Sequence, residues 1–200
     1  MPETGTLLDV RDLALSRGER LLFKGLGFSL GPGQLLLLRG ANGIGKSSLL
    51  LLLANVLRPD AGTIAWAGGE PPPLHVLGHQ TGVKPRLTLR ENLDFWRTVN
   101  GPTGLTPDDA LAAVGLGAIG RLEAGHLSAG QTRRLALARL LVTDRRIWLL
   151  DEPTASLDAE GDGLVARLIA ERIASSGAVI AATHHDIAGA TATLTLGGAT

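Results

Sequence analysis

The stretch QLLLLRGANGIGKSSLLLLLANV, Gln34 to Val56, decides the fold of this 200-residue chain. Leu35 to Leu38 read as a strand buried on both faces. GANGIGKS, Gly40 to Ser47, follows almost at once. A second leucine run opens a helix from Lys46 to near Asn55, a residue that tolerates left-handed backbone just past a helix end. This order suits phosphate, because a glycine-rich turn aims successive N–H groups inward and the helix start adds its own unpaired donors. Gly40 and Gly45 let the backbone approach phosphate oxygens where a Cβ would collide. Lys46 is placed to reach β- and γ-phosphates, and Ser47 to offer its hydroxyl to Mg²⁺. Only three of the nineteen Lys and Arg residues are lysines. A compact ammonium here, in a chain that otherwise writes positive charge as arginine, fits a phosphate nest better than a planar guanidinium.

Outward from this loop, Leu7 to Leu15 and Phe28 to Leu30 read as short N-terminal strands, with Arg17-Gly-Glu-Arg20 as the turn between them. Thr63 to Trp66 and Leu74 to Gly78 are further strands, the second running into His79-Gln80. From Val83 the pattern becomes helical, with Leu89, Leu93 and Trp96 at helical spacing and Thr106-Pro107 as a helix start. About residues 83–142 read as an inserted helical lobe, closing with a helix that Ser128 caps. Ile147 to Leu150 and Ala178 to Thr183 are buried strands either side of a long helix from Asp158 to Ser175. Thr193 to Leu196 is the last strand. Buried strands alternating with helices call for an α/β fold with a mainly parallel sheet. The whole chain, 1–200, reads as a single domain.

Ligands of such sheets bind beyond the carboxyl ends of the strands. Lys46, Gln80, Asp151, Glu152 and His184 are therefore expected in one site. Asp151 ends an apolar strand, where a carboxylate would hold Mg²⁺ directly or through water. Glu152, turned away from the metal, is placed to polarise a water attacking the γ-phosphate. Leu127 to Gln131, LSAGQ, opens another helix with free N–H groups and a serine hydroxyl. One ATP already has its phosphates in the first loop, so this helix start is read as meeting the ATP of a second copy. The plain alternative is an ordinary cap followed by Arg133 and Arg134 on a solvated face. His75 and His79 share one face of an extended segment but have no further ligands nearby, and they read as packing. Trp66, Trp96 and Trp148 read as core or lobe packing.

GANGIGKS, Gln80, LSAGQ, LLDEP, Ser156-Leu-Asp158 and Thr183-His184 resemble, in order and spacing, the motifs of ATP-binding-cassette ATPases, a branch of the P-loop NTPases. The resemblance covers nearly the whole chain. It implies a nucleotide-binding domain with N-terminal antiparallel strands and an inserted helical lobe, hydrolysing ATP to ADP and phosphate with Mg²⁺. It implies a homodimer sandwiching two ATP molecules, each between one copy's Gly40, Ala41, Asn42, Gly43, Ile44, Gly45, Lys46, Ser47 and Ser48 and the other's Ser128, Ala129, Gly130 and Gln131. By the same resemblance Ser47, Gln80 and Asp151 serve the metal, and Gln80 also faces a membrane partner. Ala155 to Asp158 communicates across the dimer, and His184 contacts the γ-phosphate, where a histidine can donate to growing negative charge. Arg17 stands where many relatives stack an aromatic residue on adenine, and a guanidinium plane can stack there instead. Ala129 replaces the first glycine of the usual signature pair.

LGHQTGVKPRLTLRENLDFW and LSAGQTRRLALARLL narrow the resemblance to the cytochrome c maturation ATPases, historically called haem exporters. That subgroup implies an integral CcmB-like membrane subunit, other cytochrome c maturation proteins including a haem-loaded chaperone, and a peripheral place on the cytoplasmic face of a bacterial inner membrane. The alternatives are the ATPase of another transporter of this kind, or a soluble cassette ATPase in protein assembly. Composition limits the rest. Formal net charge is zero, which speaks against general nucleic-acid binding. No cysteine is present, so thiol catalysis and thiolate metal sites are excluded. The N-terminus lacks the pattern of a signal peptide, and no apolar run is long enough to cross a bilayer. A nucleotide switch without hydrolysis is disfavoured by Glu152, and a GTPase by the lack of an N-K-x-D motif.

Overall fold

The computed structural model describes residues 5–197, which fall into two compact units. The first runs to Gly78 and takes in Arg146–Glu152 and the chain from Ile169 onward; the second comprises His79–Arg145 and Pro153–Leu168.

In the first unit, β1 (Leu8–Arg17), β2 (Arg20–Leu30) and β4 (Ala61–Trp66) form an antiparallel sheet in the order β2-β1-β4. A parallel sheet of order β5-β6-β7-β3-β8 is built from β3 (Leu35–Arg39), β5 (Leu74–Leu77), β6 (Ile147–Asp151), β7 (Ala178–Ala182) and β8 (Ala192–Thr195). Every residue of β6 and β7 is buried, as expected of parallel strands covered on both faces. Helix α1 (Lys46–Leu53) follows β3. Its Leu49, Leu50, Leu52 and Leu53 join Leu8, Leu13, Phe23 and Trp66 of the antiparallel sheet and Leu149 and Ile180 of the parallel one in a single core. Each such side chain, fully withdrawn from water, contributes about 1.5–3 kcal/mol.

One local feature differs from expectation. The second strand spans Arg20–Leu30 rather than only Phe28–Leu30, because it absorbs Gly25, at φ 69°, through a ladder whose register shifts three times. On the other side of β1, Asp12 has φ 49°, and a Cβ on Gly62 would lie 2.5 Å from the Asp12 carbonyl oxygen. Only glycine lets β4 pass this irregularity. Asn55 takes φ 57° just beyond α1, as its side chain suggested.

The second unit holds α2 (Leu89–Asn100), α3 (Pro107–Ala113), α4 (Ala129–Leu141) and the start of α5 (Ala159–Ala174), which ends in the first unit. Thr88, Thr106 and Ser128 cap the first three helices, each accepting the N–H three residues on. This is the inserted helical lobe. Within it Phe95 meets Trp96 edge to face, and the Arg139 guanidinium lies 4.6 Å from the Trp96 ring centre. Burial, and then the neighbouring Arg133 charge, push Arg139 down to about 10. Trp66 and Trp148 are core residues of the first unit. No helix among the described residues is long and apolar enough to cross a membrane.

Candidate functional site: a phosphate loop, an acidic strand end and a histidine

Strand register brings the first unit's chemistry together. Leu38 of β3 stands beside Ala182 of β7, which stands beside Asp151 of β6. Adjacent parallel strands lie about 4.8 Å apart. The residues just past them, Gly40, Thr183-His184 and Glu152, therefore emerge at one level at the carboxyl edge.

Gly40 has φ 136°, and a Cβ there would come within 2.7 Å of the Leu196 carbonyl oxygen. Gly45, at φ 115°, would push a Cβ to 3.2 Å from both Leu22 and Phe23 of β2. Gly43 is also left-handed, at φ 74°. The loop residues Ala41, Asn42 and Ile44 complete the turn, with the Ile44 N–H donating to the Ala41 carbonyl at 3.3 Å. Gly45 is the N-cap of α1, and no side chain caps that end, unlike α2, α3 and α4. The first N–H groups of α1 thus have no intrahelical acceptor, an arrangement that fits a phosphate.

Lys46 is buried and donates to the carbonyls of Gly40 at 2.7 Å and Ala41 at 3.2 Å. Its ammonium lies 3.3 Å from His184 Nε2. That ring nitrogen is 2.8 Å from Asn42 Oδ1 and 3.5 Å from Glu152 Oε1. The two oxygens favour a proton on Nε2, whereas the Lys46 ammonium, which can only donate, favours the other tautomer; His184 thus stands at the centre of the group. Glu152 has φ 44°, uncommon for a residue with a side chain, and its N–H donates to the Ala182 carbonyl at 2.7 Å. Asp151 is buried at the end of β6, and Ser47 and Ser48 stand in the first turn of α1. A serine hydroxyl and a carboxylate are hard oxygen donors suited to Mg²⁺, which takes few protein ligands and keeps several waters.

Arg17 is exposed at the end of β1, in register with Arg20. Gln80 lies three residues past β5, in the second unit. His75 is buried edge-on to Trp148, consistent with packing.

In the second unit, Ser128 and Gln131 form a reciprocal cap: Ser128 Oγ accepts the Gln131 N–H at 3.2 Å, and Gln131 Oε1 accepts the Ser128 N–H at 2.9 Å. The serine proton stays available for an anion. A Cβ on Gly130 would lie 3.0 Å from the Ser156 carbonyl, so the LSAGQ turn and the Ala155–Asp158 segment are in close contact. Arg134 ties them again, 3.4 Å from both Asp158 and Glu160. The Asp158 carboxyl is held below its ordinary value first by the Gly161 N–H, with Arg134 adding to this against burial. The plain alternative, with Arg133 on a solvated face, does not hold for that residue: Arg133 is buried and donates to the Pro153 carbonyl at 3.1 Å. Nothing in the sequence announces this tie, since an arginine beside an apolar run is a faint signal.

A parallel sheet with a glycine-rich phosphate loop between a central strand and an uncapped helix defines a P-loop nucleoside-triphosphate-binding protein. The ABC transporter family model matches residues 23–155. The chain belongs to the ATP-binding subunits of that family, which are ATP-hydrolysing enzymes. It is 48% identical over 186 residues to the cytochrome c biogenesis ATP-binding export protein CcmA of Rhizobium johnstonii, covering 88% of this chain and 86% of that one. It is 48% identical over 199 residues to the CcmA of Rhodopseudomonas palustris, covering 96% and 98%. Among solved structures it resembles CbiO1 of Clostridium perfringens, part of the ABC transporter complex CbiONQ. There the TM-score is 0.77 at 24% identity, over 96% of this chain and 85% of that one, a likeness of fold.

Proposed function

We propose that the chain is the ATPase subunit of a membrane complex for c-type cytochrome biogenesis, acting in haem export or in release of a haem chaperone. The observation that carries this is the match at 44–48% identity, along 88% or more of the chain, to proteins that share the name CcmA. The two units act as one ATPase domain, 1–200. The partners are a second copy and an integral CcmB-like subunit, which would hold the chain peripherally on the cytoplasmic face of a bacterial inner membrane.

The geometry of the first unit supports a division of labour. The N–H groups of Gly43 to Ser48 and the Lys46 ammonium bind the β- and γ-phosphates of ATP. Ser47 and Asp151 would hold Mg²⁺, which when bound neutralises charge on the phosphate oxygens. Glu152 orients and deprotonates the attacking water, and the His184 Nε2 proton is offered to the γ-phosphate as its charge grows. Ser128, Gly130 and Gln131 of one copy face the ATP of the other, and Asp158 lies in the segment that reports across the dimer. Arg17 stacks on the base.

The test is affinity capture of the chain from bacterial membranes with identification of what is bound. A polytopic cytochrome-maturation subunit is expected. Recovery of a soluble assembly factor, or of the permease of another transporter, overturns the cytochrome assignment while leaving the ATPase intact.

A further inference from the structure

We infer that Arg39 is a positioning residue that sets the orientation of His184. Arg39 is the last residue of β3, and it leads directly into the phosphate loop at Gly40. Its guanidinium donates from one arm to the Thr183 carbonyl at 2.8 Å and from the other to Asp186 Oδ1 at 2.6 Å. Those two acceptors flank His184 and His185. Thr183 Oγ1 also accepts the His185 N–H at 3.1 Å, so residues 183–186 form a tight turn held at both ends by one planar fork. The tip of the turn presents His184 Nε2 to Asn42, Lys46 and Glu152. The phosphate loop and the histidine turn are thereby joined twice, at the root through Arg39 and at the tip through Asn42.

Stability does not explain this arrangement. The Asp186 side chain is fully exposed, and an ion pair with one arm in open solvent adds little to folding. Its geometry is specific nonetheless. A fork that reaches two acceptors at once fixes the turn's rotation about its own axis, which a lysine with a single ammonium cannot do. A swing of the turn by about 1 Å would move the His184 proton out of reach of a γ-phosphate oxygen while leaving the phosphate loop in place.

The inference rests on the proposed role of His184, and one set of variants separates the two. ATP turnover and nucleotide affinity are measured for the full chain and for His184→Ala, Arg39→Ala, Arg39→Lys, Asp186→Ala and the Arg39→Ala/His184→Ala pair, with thermal melts to confirm folding. Arg39→Ala should lower kcat about 10-fold with KM for ATP within about twofold. Arg39→Lys and Asp186→Ala, each keeping one arm, should fall between it and the unaltered chain. The double variant should match His184→Ala alone. Asp186 is exposed, so its variant reports even if Arg39→Ala fails to fold. Wild-type kcat in Arg39→Lys and Asp186→Ala, beside an inactive His184→Ala, overturns the inference. So does a rise in KM without a fall in kcat, or losses that add in the double variant. Full turnover in His184→Ala instead removes the histidine's own role, and the inference with it.

Discussion

Lys46 enters the first turn of α1 buried and folded back onto two carbonyls of its own loop. An ammonium held this way is kept within the loop proposed to receive the triphosphate. Each charge-assisted hydrogen bond lost is worth about 1.5–3 kcal/mol. Lys46→Ala should therefore weaken ATP binding on the order of 10- to 100-fold, measured by titration with a fluorescent ATP analogue. Unchanged affinity removes the lysine from the phosphate site. Glu152 takes the opposite profile. Glu152→Gln keeps size and hydrogen bonding but not basicity, so turnover should fall roughly 10²- to 10⁴-fold while ATP binding persists and ATP-bound dimers accumulate on gel filtration. Phosphate release at the normal rate would show that another group activates the water. The strained backbone of Glu152, at φ 44°, is the sort of local cost that persists where a side chain must be aimed.

At the scale of elements, the helices of the second unit are fastened at their starts. Thr88 and Glu91 form a full capping box on α2, with Glu91 Oε2 accepting the Thr88 N–H at 2.8 Å. That backbone N–H, and then the Thr88 hydroxyl, hold the Glu91 carboxyl below its ordinary value. A carboxylate whose folded pKa is depressed adds stability above its unfolded value, near 4, and loses it as pH falls through the folded one. Glu91→Gln should thus be less stable than the unaltered chain at pH 7, by a margin that shrinks as pH falls below about 4, in urea melts across acid pH. Parallel curves at every pH would mean the charge plays no part.

Much of this scale was legible beforehand. Leucine runs, caps and the glycine-rich turn placed β3, α1, β6, β7 and the lobe helices within a residue or two. The full length of β2 was not legible, because Lys24, Gly25 and Gly27 break its alternation and only the irregular ladder with β1 makes them strand. The buried tie of Arg133 was not legible for a related reason. Two arginines after a cap look like a wet face until the fold supplies a buried carbonyl for one of them, and no local pattern announces that partner.

For the whole molecule, a formal net charge of zero removes the self-repulsion that keeps proteins apart near neutrality. Solubility measured by precipitation at fixed protein concentration should be lowest near pH 7 and rise towards pH 8.5, and a flat profile would assign control to surface apolar groups such as Val56 and Val99 instead. The contact between the LSAGQ turn and Ser156 carries a different kind of consequence. Residue 129 already bears a methyl group, whereas a methyl on residue 130 would come within 3.0 Å of a carbonyl oxygen. The two neighbouring small residues have unequal freedom to drift. In a library of random variants selected for ATP turnover, Gly and Ser should be recovered at position 129, while position 130 should return almost only glycine. Equal tolerance at the two would mean that the close approach to Ser156 places no limit on which descendants of this sequence survive.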